Sequence, residues 1–164
     1  MMLKVTSSKE VGDVNIDMGG YTPLISEFHN EKSSIPIYWR VGDFESSLIE
    51  VGLNKNSGCI LSVSLLMFDS VSDVPFVGSS DLAVEVGMPI FDIEGWPEDG
   101  SLDIQSYFRV FKAEDRLRLM FSDELKPVKI YRNKTVDFCI SEMGELIWIE
   151  FLSLVESELL ETFS

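Results

Sequence analysis

One histidine, two cysteines and long stretches without a single basic residue are the scarcities that first constrain this 164-residue chain. With His29 as the only imidazole, a Ser-His-Asp triad, a Cys-His pair or a His-rich zinc site cannot be assembled in the usual way. His29 is read as a satisfied surface or boundary residue. No Cys-x-x-Cys, His-Glu-x-x-His, Gly-x-Ser-x-Gly, Walker-type loop or Gly-x-Gly-x-x-Gly occurs, which counts against the familiar enzyme classes. The two thiols, Cys59 and Cys139, each fall in an expected strand and read as small buried side chains with no disulfide between them. No stretch approaches the ~20 apolar residues needed to cross a bilayer, and the start, MMLKVTSSKEVGDVN, lacks the apolar run of a secretion signal. The expected location is cytoplasmic, so the sequon Asn133-Lys134-Thr135 carries no meaning.

The scarcity of bases is uneven. Lys and Arg number 13 against 28 Asp and Glu, for a net charge of −15. Residues 56 to 108 hold nine acids and no base, residues 135 to 164 seven acids and no base, while residues 109 to 134 hold eight bases against four acids. Such a chain repels nucleic-acid phosphates and anionic membranes, whose binding depends on Lys and Arg replacing counterions; its natural partner is cationic. The competing reading is that surface acids serve solubility and that the basic segment packs nearby to neutralise them.

What the chain does have is apolar patterning, with 45% hydrophobic residues, enough for one domain over residues 1–164. The clearest stretch is Phe44 to Phe68, read as a hairpin: Ile49, Val51 and Leu53 on one strand, a turn at Asn54-Lys55-Asn56-Ser57-Gly58, and Cys59, Leu61, Val63, Leu65 and Met67 facing inward on the return. Upstream, Val14, Ile16 and Met18 alternate as a strand stopped by Gly19-Gly20. Thr22-Pro23 has the chemistry of a helix start, with Leu24, Ile25 and Phe28 on one face. Ile37, Trp39 and Val41 read as a strand after Pro36. From Asp69 to Asp103, broken by Pro75, Gly78, Pro89, Gly95, Pro97 and Gly100, long loops are expected, with one strand between Leu82 and Ile90. A second hairpin runs from Tyr107 to Phe121, Val128 to Tyr131 adds an edge strand, and a third hairpin runs from Val136 to Leu152. Ser153 and Glu156 have capping-box spacing for a terminal helix over 154–163, with Val155, Leu159 and Phe163 towards the sheet. The expected fold class is α+β, mainly antiparallel β: a single sheet or half-barrel of hairpins with one or two short helices.

The candidate interaction residues are Asp92, Glu94, Trp96, Glu98, Asp99 and Asp103. Trp96, between Gly95 and Pro97 and flanked by acids, reads either as an aromatic anchor for a basic protein or as a cap folded back on the core. The acids of this run fit no EF-hand spacing, and no metal or cofactor is expected.

The hairpin SLIEVGLNKNSGCILSVSLLMF, the acidic balance and the later FCISEMGELIWIEFL together resemble small bacterial immunity proteins of contact-dependent growth inhibition and related polymorphic toxin systems. The resemblance implies a cytoplasmic protein without enzymatic activity. Such a protein binds the C-terminal domain of a cognate toxin, commonly a basic nuclease, and blocks its active site or an essential surface. Two other readings stand beside it: a small-molecule or carbohydrate-binding β domain using Trp96 or Trp39 as a stacking surface, and a carboxylate-based hydrolase needing two close acids with separated pKa values.

Overall fold

The computed structural model describes residues 2–32, 35–73 and 81–164. In chain order the elements are β1 (Val5–Lys9), β2 (Val14–Met18), β3 (Leu24–Phe28), β4 (Pro36–Gly42), β5 (Leu48–Asn54), β6 (Ile60–Met67), β7 (Val71–Ser72), β8 (Ala83–Val86), β9 (Met88–Phe91), β10 (Ser101–Gln105), β11 (Arg109–Ala113), β12 (Arg116–Met120), β13 (Pro127–Asn133), β14 (Val136–Ser141), β15 (Leu146–Phe151) and α1 (Glu156–Thr162). They form a six-stranded sheet ordered β10-β4-β5-β6-β3-β2, a seven-stranded sheet ordered β7-β11-β12-β15-β14-β13-β8, and a two-stranded ribbon of β1 and β9. Among the described residues the chain is mostly β with one short helix, but it is divided among three sheets rather than gathered in one. Three pairings, β10 with β4, β7 with β11 and β8 with β13, are parallel.

Both large sheets contribute to one core. Ile37, Trp39, Val51, Val63 and Phe28 of the six-stranded sheet meet Leu117, Leu119, Phe138, Ile149 and Phe151 of the seven-stranded one. Aromatic rings join the sheets, Phe28 with Phe138 at 6.0 Å and Trp39 with Phe121 edge-on at 5.0 Å. Burial of this period-two set supplies the main driving force, at about 25 cal/mol per Å2 of apolar surface.

The three hairpins stand where their alternation places them, with β5 and β6, β11 and β12, and β14 and β15 each paired antiparallel. Within the first, the inward set is not the simple alternation expected. The register slips between Gly52 and Leu53, so Ile60 and Val63 are both buried and Leu61 is turned towards solvent. The helix expected after Thr22-Pro23 is instead β3: Leu24, Ser26 and Phe28 all point into the core, and ladders to β2 and β6 satisfy its backbone. Ser26 tolerates burial because its hydroxyl donates to the Val63 carbonyl at 2.9 Å. Local helix-start chemistry loses to two flanking strands.

The segment expected to be loops is more ordered than its Pro and Gly content suggests. Pro75 and Gly78 lie outside the described residues, but β7, β8, β9 and β10 occupy much of the rest. The single strand expected over 82–90 is two, because the chain changes sheets at Gly87, where an added Cβ would lie 3.1 Å from the Lys9 carbonyl oxygen. The strand starting at Pro127 is not an edge, since β8 pairs outside it. At the C-terminus the capping box does not form. Ser153 takes φ 56°, Val155 stands at the N-cap without a side-chain bond, and α1 begins at Glu156. Leu159 and Phe163 are buried, and Val155 is exposed. Cys59 and Cys139 are buried free thiols, pushed by burial up to about 11 and about 12 respectively.

Candidate interaction surface

The acidic run from Asp92 to Asp103 connects β9 to β10, and its conformation is closely held by its own backbone. The Asp92 N–H donates to the Lys4 carbonyl at 2.8 Å, and Asp92 Oδ1 accepts the Glu94 N–H at 2.9 Å. The turn from Ile93 to Trp96 closes at 3.3 Å with Gly95 at φ 77°, a geometry that a side chain would strain. A second turn closes from Gly100 N–H to the Pro97 carbonyl at 3.0 Å, and Asp99 Oδ1 accepts the Ser101 N–H at 3.1 Å. The Gly100 carbonyl then receives the Tyr38 N–H at 2.7 Å, which aligns β10 with β4. Asp92, Glu94, Glu98 and Asp99 are exposed on this loop, and none has an ion-pair partner among the described residues.

Asp103 differs. It lies on β10 opposite Arg40, whose guanidinium is 3.6 Å from its carboxylate and 3.4 Å from that of Glu50. Trp96 is half-buried and packs against the core, so it tethers the loop instead of standing out as an exposed anchor; its Nε1 is buried without a hydrogen-bond partner among the described residues. Trp39, 1% exposed, cannot offer a ring face to a ligand.

The basic segment neutralises part of the base-free stretch: Lys112 pairs with Asp73 at 3.4 Å and Lys129 with Glu85 at 2.9 Å. Asp69, Asp81 and the four loop acids remain exposed without such a partner among the described residues.

Three more bases of this segment, Arg116, Arg118 and Arg132, pair within the seven-stranded sheet. Arg118, on β12, meets Glu150 on β15 at 2.9 Å and stacks 3.8 Å over the Trp148 ring; Arg116 reaches the same carboxylate at 3.6 Å. Arg132 forms a fork of two bonds, 2.7 and 2.8 Å, with Asp137. Burial pushes the Glu150 carboxyl above its ordinary range despite the pull of Arg118 and Arg116. Asp137 and Glu150 are thus both 2% exposed and each is paired with arginine.

The ladder registers reveal a further surface that sequence reading did not collect. Across all six strands of the six-stranded sheet, one outward row reads Asp103, Arg40, Glu50, Ser64, Ile25, Asp17. The next reads Ser101, Tyr38, Gly52, Ser62, Glu27, Asn15. No motif joins these residues, because they come from six strands whose order only the fold defines. The acidic loop feeds directly into the first strand of both rows.

No family model matches the chain, and no curated protein matches its sequence. Among the described residues, no group of three His, Cys, Asp or Glu is placed to hold a metal ion, and no helix is long and apolar enough to cross a membrane.

Proposed function

We propose that this chain is an immunity protein that binds a basic toxin domain, such as a nuclease, and neutralises it by occupying its active site or substrate surface. The observation that carries the reading is the 92–100 loop. Four exposed acids stand on a backbone fixed by turns, without an ion-pair partner among the described residues, beside the strand that opens an acidic sheet face. A nuclease groove must be positive to hold phosphates, so an acidic surface competes for it and is drawn to it rapidly. A preformed loop reduces the ordering cost of association. Inhibition by occupancy requires no catalytic residue, cofactor or metal from this chain, and the site of action is the cytoplasm of the producing cell.

The test is to purify the toxin-like domain encoded by the neighbouring reading frame and measure its activity with and without this protein. Stoichiometric inhibition supports the reading. Absence of both binding and inhibition for every neighbouring product overturns it. Charge reversal at Asp92, Glu94, Glu98 and Asp99 is expected to slow association at least about tenfold at low salt and to flatten its salt dependence; unchanged rates would remove the loop from the interface.

A further inference from the structure

The outward face of the six-stranded sheet is not flat. Where the two rows cross β5 and β6 the residues are Glu50, Gly52, Ser62 and Ser64, three of them small, while Tyr38 rises on the β4 side and Ile25 and Glu27 on the β3 side. The result is an open trough of about 630 Å3, lined also by Pro36, Leu61 and Glu31. Gly52 maintains its depth: an added Cβ would lie 2.6 Å from Ser62 Oγ and 3.3 Å from Tyr38 Cε1, so any side chain there would displace the floor or the wall.

The lining specifies an occupant. Glu27, Glu31 and Glu50 face the trough, with His29 beside them. Glu31 already has Lys9 at 3.2 Å, and Glu50 shares Arg40 with Asp103, but Glu27 is exposed with no cation among the described residues. Glu31 and Glu50 are about three-quarters buried, which strengthens their field relative to fully hydrated acids. Between the carboxylates lie apolar surfaces, Ile25, Leu61 and Pro36, and one aromatic ring, Tyr38. An anion is repelled, and a bare metal ion finds no set of three ligands among the described residues. A long aliphatic stem ending in a delocalised or compact cation fits both parts: the stem lies along the apolar wall, the head meets Glu27 or Glu50, and the ring supplies a cation–π contact.

We propose that this trough receives an arginine or lysine side chain projected by a protein partner. The inference rests on the proposed toxin-binding reading for the identity of that partner, but the trough itself is defined by the fold. It places the deepest contact at the centre of the sheet, with the acidic loop at its rim serving to steer.

Hexa-arginine peptide at physiological salt is the probe, followed by calorimetry and amide chemical-shift mapping. Binding that perturbs Gly52, Ser62 and Ser64 is expected. Ser62→Leu, which fills the trough without altering charge, should weaken binding about tenfold, as should Tyr38→Ala, with unchanged circular dichroism confirming that both variants fold. Neutralising the four loop acids should weaken it by less than about threefold at this salt, where screening leaves little beyond about 8 Å. Equal affinity for wild type, Ser62→Leu and Tyr38→Ala, or shifts confined to the loop, overturns the trough. The same variants separate this proposal from the broader one. Full toxin inhibition by Ser62→Leu and Tyr38→Ala defeats the trough and leaves the immunity reading standing. Peptide binding in the trough without inhibition of any neighbouring toxin defeats the immunity reading instead.

Discussion

On the outward face of the seven-stranded sheet the side chains of Arg118, Asp137 and Glu150 keep at most 4% of their surface, with only the partners Arg116 and Arg132 more open, whereas on the outward face of the six-stranded sheet Arg40 and Glu50 keep 30% and 27%. The residue types are the same and both sets are ion-paired. In the first, Trp148, Cys139, Ile147 and Ile130 surround the charges, and Leu82, Met120 and Leu125 pack against that cluster. In the second, the neighbours are serines, a glycine and an open tyrosine ring. A buried charge must be paired because its desolvation costs several kcal/mol, so the first set is committed to the fold. An exposed pair contributes little to stability and exchanges readily with water or a partner, so the second set is available for binding.

The sharpest way to break this contrast is to remove one buried partner. Arg118→Ala is expected to destabilise by about 3–5 kcal/mol in urea denaturation, because it removes the nearer of the two arginines that pair with the buried Glu150, while the double replacement Arg118→Met/Glu150→Leu should lie much closer to wild type. A surface-like loss of under about 1 kcal/mol for the single variant would erase the distinction between the faces.

Thiol chemistry probes the same difference with a smaller effect. Cys139, on the buried face and pushed up to about 12, and Cys59, pushed up to about 11, should stay unreactive to a disulfide reagent until the protein unfolds. A cysteine placed on the open face by Ser64→Cys should react at least about a hundredfold faster. Comparable rates would mean that the two faces are equally accessible.

Acid stability gives a third test, at one end of the open sheet. Asp43, between β4 and β5, accepts the Ser46 hydroxyl at 2.7 Å and the backbone N–H groups of Ser46, Glu45 and Ser47 at 2.8 to 2.9 Å, which hold its carboxyl well below the usual carboxylate range. A lowered folded value means stability that is present above the unfolded value of about 3.9 and lost as pH falls through the folded one. Thermal melts between neutral pH and about pH 2 should therefore show a shallower acid loss in Asp43→Asn than in wild type. Parallel curves would deny the loop its role.

The smallest expected effect is on the open face itself. Glu27→Gln and Glu50→Gln should each leave stability within about 0.5 kcal/mol of wild type, since neither side chain supports the core. A loss several times larger would show that the open face is structural too.

Much of the β content was legible because burial on one side of a strand imposes a period of two. Ile37, Trp39 and Val41, the Tyr107–Phe121 hairpin and the Val136–Leu152 hairpin all announced themselves this way. Thr22-Pro23 misled because its helix-start chemistry is local, whereas β3 is held by ladders to residues about 40 positions downstream as well as to its neighbour β2. Of the candidate site, the exposure of Asp92, Glu94, Glu98 and Asp99 followed from their polar, Gly- and Pro-broken setting. The pairing of Asp103 with Arg40 did not, because it depends on a parallel strand contact across more than 60 residues. Tyr38, Gly52, Ser62 and Glu27 were individually unremarkable, and only their alignment makes a trough.

By itself the sequence determined the apolar alternation, the acidic excess and its uneven distribution, because these depend on residue type and spacing alone. Tertiary structure decided which acids met a base, which charges were removed from water and which small residues came to lie side by side. Those outcomes depend on strand order and register, and register arises from the packing of two sheets against each other, which no local segment encodes.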